Sequence, residues 1–397
     1  MQNTSRRYSQ SILPISLFLL IFLPILLPAQ PSKSDIFTID IDKIIKVKSE
    51  IKTSELCSSV SYFILENPSK PVYIPIDAGQ KLYTKYLIFG NLRNHEVSLF
   101  TRDGRFVTLL NFLGKGPGEY TGWTDFGLTP DEKKIWLFDR YSNQIYFYDL
   151  TGRWISTVRL PTKVLDVFID QKGNIISTNF QFLKDEFDSY AFLVFDPKGK
   201  VIHKLLKYKP KSITPLNYFG ASMVYQTDFG RLIKPGQEND TIYRLNDDYT
   251  TDPFLVLNYK KTNKSANQTD EDGYAPASPV FDLTIYSLQS FSGRNLLMAI
   301  RYQGRGYTII LNPVTGETRC SEKIADDLFG KRSMGSTPSQ DGRDIFGRND
   351  VQYAKENPTY IFDNEDVKYA DLQREVKAKI KAADENTDNL MIIFKKK

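Results

Sequence analysis

Seven side chains carry the binding chemistry this sequence offers: Arg93, His95, Lys115, Glu119, Tyr120, Arg140 and Tyr141. They are cations, an imidazole, one carboxylate and two phenols, a mixture suited to gripping a polar ligand from loops. Residues 114–118, Gly-Lys-Gly-Pro-Gly, have the look of a phosphate cradle. The cradle fails in detail, because no Gly-Lys-Ser/Thr follows, Pro117 removes a backbone donor, and the flanking segments read as strands. A shaped turn is the better reading. The only histidines are His95 and His203, with no His-x-x-x-His or Cys-x-x-Cys spacing, so no metal and no cofactor is expected. Asp270, Asp272 and Gly273 fit positions three, five and six of a calcium loop, but Gln268 and Pro279 fall at positions one and twelve, which leaves a solvated acidic turn. No Gly-x-Ser-x-Gly elbow is present. The remaining catalytic option is a pair of carboxylates brought together from separate strands, with Asp139 and Asp170 as candidates that end or follow strands, although turn carboxylates are far commoner.

The elements that must position these residues are short strands in a repeat. Between 114 and 158 the chain alternates polar turns (129–133, 140–143, 149–152) with apolar runs (123–128, 135–139, 145–148, 154–158). The third turn recurs as Asp103-Gly104-Arg105, Asp149-Leu150-Thr151-Gly152-Arg153 and Asp196-Pro197-Lys198-Gly199-Lys200, whose glycines stand 48 and 47 residues apart. Asp satisfies the turn backbone and Gly takes the left-handed position. A constant period of this size is that of four-stranded propeller blades. Weaker copies follow at 245–248 and 311–316.

The segments GKGPGEY and LFDRYSNQIYFYDLTGR resemble an NHL-type repeat. More closely, SVSYFILE at 59–66, GKGPGEY at 114–120, NDTIYRL at 239–245 and DNLMIIFKKK at 388–397 resemble the six-bladed β-propeller proteins of Bacteroidetes-type bacteria. The resemblance covers residues 58–397. It implies an all-β, six-bladed propeller and carries no assigned chemistry.

On this reading residues 1–29 are an export signal: Arg6 and Arg7 open it, 12–27 is apolar, and Ala29 precedes the cleavage point. Sixteen residues, apolar but for Ser16 and interrupted by Pro14 and Pro24, are short of the roughly 20 a span needs; an uncleaved anchor is the alternative. No cysteine follows the apolar run, so no lipid anchor is expected, and the protein is placed in the periplasm or at the cell surface. Residues 30–57 form a polar, Lys-rich approach and 58–397 the propeller. The formal charge of +5 falls to about +3 without the leader, which excludes a nucleic-acid reading, and a monomer is expected. Cys57 and Cys320 are read as separate thiols rather than a disulfide.

Blade six is assembled from both ends of the chain: a loop to Arg348, a strand at 360–362, a helix at 366–384 inserted in the blade, and a C-terminal strand at 390–394 paired with 60–65. Closing the ring removes open edges. Strand order places Arg140, Tyr141, Lys115 and Tyr120 at one end of the disc, by the central channel, and Gly104, Gly152 and Gly199 at the other. Two functions remain: a non-catalytic binding module for a peptide, glycan or partner protein, or a hydrolase or lyase using channel carboxylates. Two acids within ~10 Å at the channel mouth, with raised pKa values, favour the enzyme.

Overall fold

The computed structural model describes residues 36–66, 74–75, 78–179, 186–187, 189–207, 224–236, 239–261, 282–291, 294–330, 337–357, 359, 361–362, 364–383 and 389–397. The leader at 1–29 and the acidic turn at 270–273 lie outside them.

Six antiparallel sheets follow one another as blades. From the innermost strand outward, blade one is Gly79–Leu82, Tyr86–Asn91, Glu96–Thr101 and Phe106–Leu110. Blade two is Asp125–Leu128, Lys134–Asp139, Gln144–Asp149 and Trp154–Arg159; blade three is Phe168–Ile169, Ile175–Thr178, Tyr190–Phe195 and Val201–Lys207. Blade four is Val224–Thr227, Gly230–Ile233, Thr241–Leu245 and Thr251–Asn258; blade five is Leu283–Phe291, Asn295–Tyr302, Arg305–Leu311 and Thr318–Ser321.

Side-chain alternation explains why the blades stack. In Lys134–Asp139, Ile135 and Leu137 join the core shared with blade one, while Trp136 and Phe138 join the core toward blade three. A strand buried on both faces is therefore continuously apolar. The outermost strand, Trp154–Arg159, is mostly exposed. The repeated turn does two jobs. Asp149 Oδ1 accepts from the amides of Thr151 and Arg153 at 3.0 Å each, and Asp196 Oδ1 accepts from those of Lys198 and Lys200 at 2.9 Å. Gly199, at φ +86°, also lies so close to the outer strand of blade two that a Cβ would stand 2.5 Å from Arg159 O.

Blade six consists of Thr337–Pro338, Asp344–Asp350, Asn389–Lys396 and Cys57–Ile64. The C-terminal strand pairs antiparallel with the N-terminal one, from Leu390 opposite Ile64 to Phe394 opposite Val60, as the closure predicts. Its interior corrects the sequence reading. Residues 344–350 are a strand, not loop, whereas Ile361 sits in a turn, Phe362 packs on Phe329 at 5.1 Å, and Tyr360 lies outside the described residues. Asp344–Asp350 carries only Ile345 and Phe346 as large apolar residues; its partner strand supplies the rest of the apolar surface. The apolar run around Ile361 instead covers the inserted helix Ala370–Ala382, whose Val376 and Ile380 are buried.

Residues 36–56 wrap the outside of the ring. Phe37–Asp40 adds a parallel fifth strand to blade four, Ser49 N donates to Cys320 O at 2.8 Å, and Ile51–Lys52 pairs with Ile324–Ala325. Cys57 and Cys320 are buried, unbonded thiols, pushed up by desolvation to about 12 and about 11.

Candidate functional site at the loop end of the channel

Chain direction gives the disc two ends. At one, which we call the turn end, lie the first and third turns of each blade; at the other, the loop end, lie the second turns and the connections between blades.

The second turns are built on Asx caps. Asn91 Oδ1 accepts from Arg93 N at 3.0 Å, and Asp139 Oδ1 accepts from the amides of Tyr141 at 2.8 Å and Ser142 at 3.1 Å. Asp139 Oδ2 takes a bond from Thr121 Oγ1 at 2.8 Å. Asp170 is likewise a cap: its oxygens accept from Lys172 N and Asn174 N at 2.9 Å and from Tyr249 OH at 2.5 Å. Both carboxylates weighed for catalysis thus hold turns.

The seven predicted binding residues separate into three groups. Arg93 is exposed on the second turn of blade one, where His95 is half-buried at φ +54°, its ring edge-on to Trp123 at 6.3 Å. Arg140 and Tyr141 share the second turn of blade two, with Tyr141 79% exposed. Lys115, Glu119 and Tyr120 lie on the connection between blades one and two, and here the structure corrects the expectation that it opens by the channel. Gly118 is packed against Trp154 on the outermost strand of blade two and its carbonyl accepts from Tyr148 OH at 2.8 Å. This places the loop at the outer rim, beside the turn that contains Gly152. Blades twist from centre to rim, so an outer strand no longer ends where an inner strand of the same direction would. Glu119 caps Gly116 N at 2.8 Å, and Tyr120 is fully buried, its hydroxyl donating to His95 O at 2.8 Å, with burial raising it to about 12. Lys115 remains exposed at the rim.

The channel mouth is furnished by residues the sequence reading did not single out. Lys81, on the innermost strand of blade one, reaches across to blade two: its Nζ donates to Asp125 Oδ1 at 2.9 Å and to Phe126 O at 2.5 Å, and stands 4.9 Å from the Trp136 ring. Asp125 begins the innermost strand of blade two, and its Oδ2 accepts from Val167 N of blade three at 3.3 Å. The residue before that amide is Asp166, half-buried, whose carboxylate takes Thr178 N at 2.7 Å and Thr178 Oγ1 at 3.0 Å. Arg140 closes over the group, Nη2 donating to Leu165 O at 2.6 Å. Desolvation pushes the Asp166 carboxyl above the ordinary range, and the neighbouring Asp125 adds to that; the Thr178 hydrogen bonds and the Arg140 guanidinium oppose it. On blade four, Tyr225 is 5% exposed, its hydroxyl has no partner among the described residues, and its pKa is raised by burial and by Asp166. A ribbon of opposite charges therefore runs from blade one to blade three, with the Tyr225 hydroxyl of blade four beside it. The signal for it is the repeat itself, since Asp125 opens one innermost strand and Asp166 stands just ahead of the next.

No curated protein matches this chain. Among solved structures, a protein from Bacteroides fragilis described as exported shares 16% identity at a TM-score of 0.66, covering 91% of this chain and all of its own. A DUF4221 family member from Bacteroides vulgatus shares 13% identity at a TM-score of 0.44, over 66% of this chain and 85% of that one. Residues 36–396 match one family model from end to end of the propeller, and the chain accordingly belongs to the family described as a domain of unknown function, DUF4934.

Proposed function

We propose that this chain is an exported, non-catalytic binding module that takes a polar ligand at the loop end of its channel. Export rests on the leader at 1–29, with the periplasm or the cell surface as destination. The observation that carries the binding reading is the ribbon Lys81–Asp125–Asp166 under Arg140, partly open to solvent, with the buried Tyr225 hydroxyl beside it unpartnered among the described residues. Buried polar groups are almost always paired, and a buried hydroxyl left without a partner beside such a charged group is where a ligand's hydrogen bond gains most.

The hydrolase or lyase reading has one observation in its favour, the raised carboxyl of Asp166 next to a second acid. Its partner argues against it. Asp125 is engaged on both oxygens, by Lys81 and Phe126 N on one and Val167 N on the other, so it is poorly placed to act as base or nucleophile. The test is affinity capture from the native envelope fraction by the chain lacking 1–29, with Arg140→Gln alongside. Specific capture that Arg140→Gln abolishes supports the reading; capture that is indifferent to it contradicts the site.

A further inference from the structure

The ribbon is charge-balanced. Among the described residues of the ribbon, Lys81 and Arg140 face Asp125 and Asp166, two cations against two carboxylates. A ligand with a net charge arriving here would bring a charge without a counterpart into a half-buried setting, which is costly. A neutral ligand rich in hydroxyls has no such cost. Each hydroxyl both donates and accepts, so it can give to the carboxylates of Asp125 and Asp166 and take from Lys81, Arg140 and Tyr225. Tyr225 is the independent sign that a hydrogen-bonding partner belongs there, being nine-tenths buried with its hydroxyl unpartnered among the described residues and under the influence of Asp166. The turn that holds Arg140 also carries Tyr141, 79% exposed, an aromatic ring of the kind on which the C–H side of a sugar can pack.

We propose, building on the binding reading above, that the loop-end ligand is a neutral carbohydrate, held by its hydroxyls along Asp125–Asp166 and stacked on Tyr141. The experiment is titration calorimetry of the chain lacking 1–29 against neutral oligosaccharides (cellohexaose, maltohexaose, chitohexaose), an acidic oligogalacturonate, and a neutral and acidic glycan array. Asp166→Asn and Tyr141→Ala are run beside the native protein, each checked for an intact melt. The expected result is binding of one or more neutral glycans, weakened about tenfold or more by Asp166→Asn, since hydrogen bonds to a charged group are the stronger kind. Tyr141→Ala is expected to weaken it by about threefold to tenfold. Binding confined to acidic glycans, or no glycan binding at all, overturns the proposal. If envelope capture instead yields a peptide or protein whose binding Asp166→Asn abolishes, the mouth stands as the site and the carbohydrate class falls. Neutral glycan binding equal in all variants overturns the assignment to this mouth.

Discussion

The turn end and the loop end of this propeller use similar side chains to different ends. At the turn end, polar groups stitch neighbouring blades. Glu132 of blade two accepts from Thr84 N at 3.0 Å and Lys85 N at 2.9 Å in blade one. Arg102 of blade one bonds Tyr83 O and the buried Asp344 of blade six, and Tyr249 of blade four bonds Asp170 of blade three at 2.5 Å. At the loop end, buried polar atoms of Asn91, His95, Trp123, Asn179, Tyr225 and Asn349 have no partner among the described residues, whereas toward the turn end the same holds of Arg231, Arg244 and Gln289. The difference teaches where each job lies. One end carries the charged bonds that hold neighbouring blades together, whereas the other has uncommitted polar atoms spread over more of its blades, as a binding surface on a rigid scaffold does.

The largest effect that sharpens this contrast comes from the closing strand, which runs from one end to the other. A protein ending at Asn389 loses Leu390, Met391, Ile392, Ile393 and Phe394, all buried. At roughly 1.5–3 kcal/mol per side chain, that is comparable to the whole stability of a typical domain. Calorimetry is expected to show no cooperative melt; an unchanged melt would rule the clasp out. Next in size is Arg102→Ala, which strands Asp344, a side chain only 8% exposed. Because Arg102 itself is partly solvated, the loss in denaturant unfolding is about 2 kcal/mol rather than the full cost of a broken buried pair. Gly199→Ala forces a Cβ against Arg159 O in a left-handed conformation and is expected to cost about 1–3 kcal/mol. A loop-end change of similar kind that cost as much would blur the distinction between the ends.

A smaller, pH-dependent effect belongs to Lys396, at the turn-end tip of the closing strand. It is buried over the Phe291 ring, donates to Ser290 O at 3.1 Å, and faces Cys57, Asp228, Asp341 and Asp344. Desolvation lowers it from 10.5 to about 8. Between those values the unfolded chain binds more protons than the folded one, so this contribution to stability rises with pH, and below about 8 the cost of the buried charge is present in full. Lys396→Met is therefore expected to melt higher than the native protein at pH ~7, with the gap narrowing toward pH ~9.5. A gap that does not change with pH would remove the buried charge as its cause.

Blades one to three were legible because each is a contiguous run of strand, turn and strand, with the Asp and Gly of the repeated turn at matched spacing. Blade six was legible only at its clasp. Leu390–Phe394 and Val60–Leu65 are strongly apolar, but Asp344–Asp350 borrows its hydrophobic environment from strands far away in sequence, so its own composition reads as loop. The candidate site divides in the same way. Arg140 and Tyr141 stand on a turn that the repeat announces. Lys81, Asp125 and Asp166 become a group only through the pairing of neighbouring blades, and each alone looks like an ordinary strand-end charge. The glycine loop at 114–118 misled for a related reason, because the twist that carries it out to Trp154 is a property of the whole sheet.

The most direct test is to measure stability and ligand capture together in Asp166→Asn. Asn keeps the shape and can still accept from Thr178 N, but it cannot ionise. The folded-state pKa of Asp166 lies above its unfolded value, so its ionisation disfavours folding as pH rises through that raised value. At pH ~7 the variant is predicted to melt at or slightly above the native temperature while losing capture of the envelope ligand. A lower melting temperature with capture intact would mean that Asp166 serves the scaffold, and that the loop end is not the binding end.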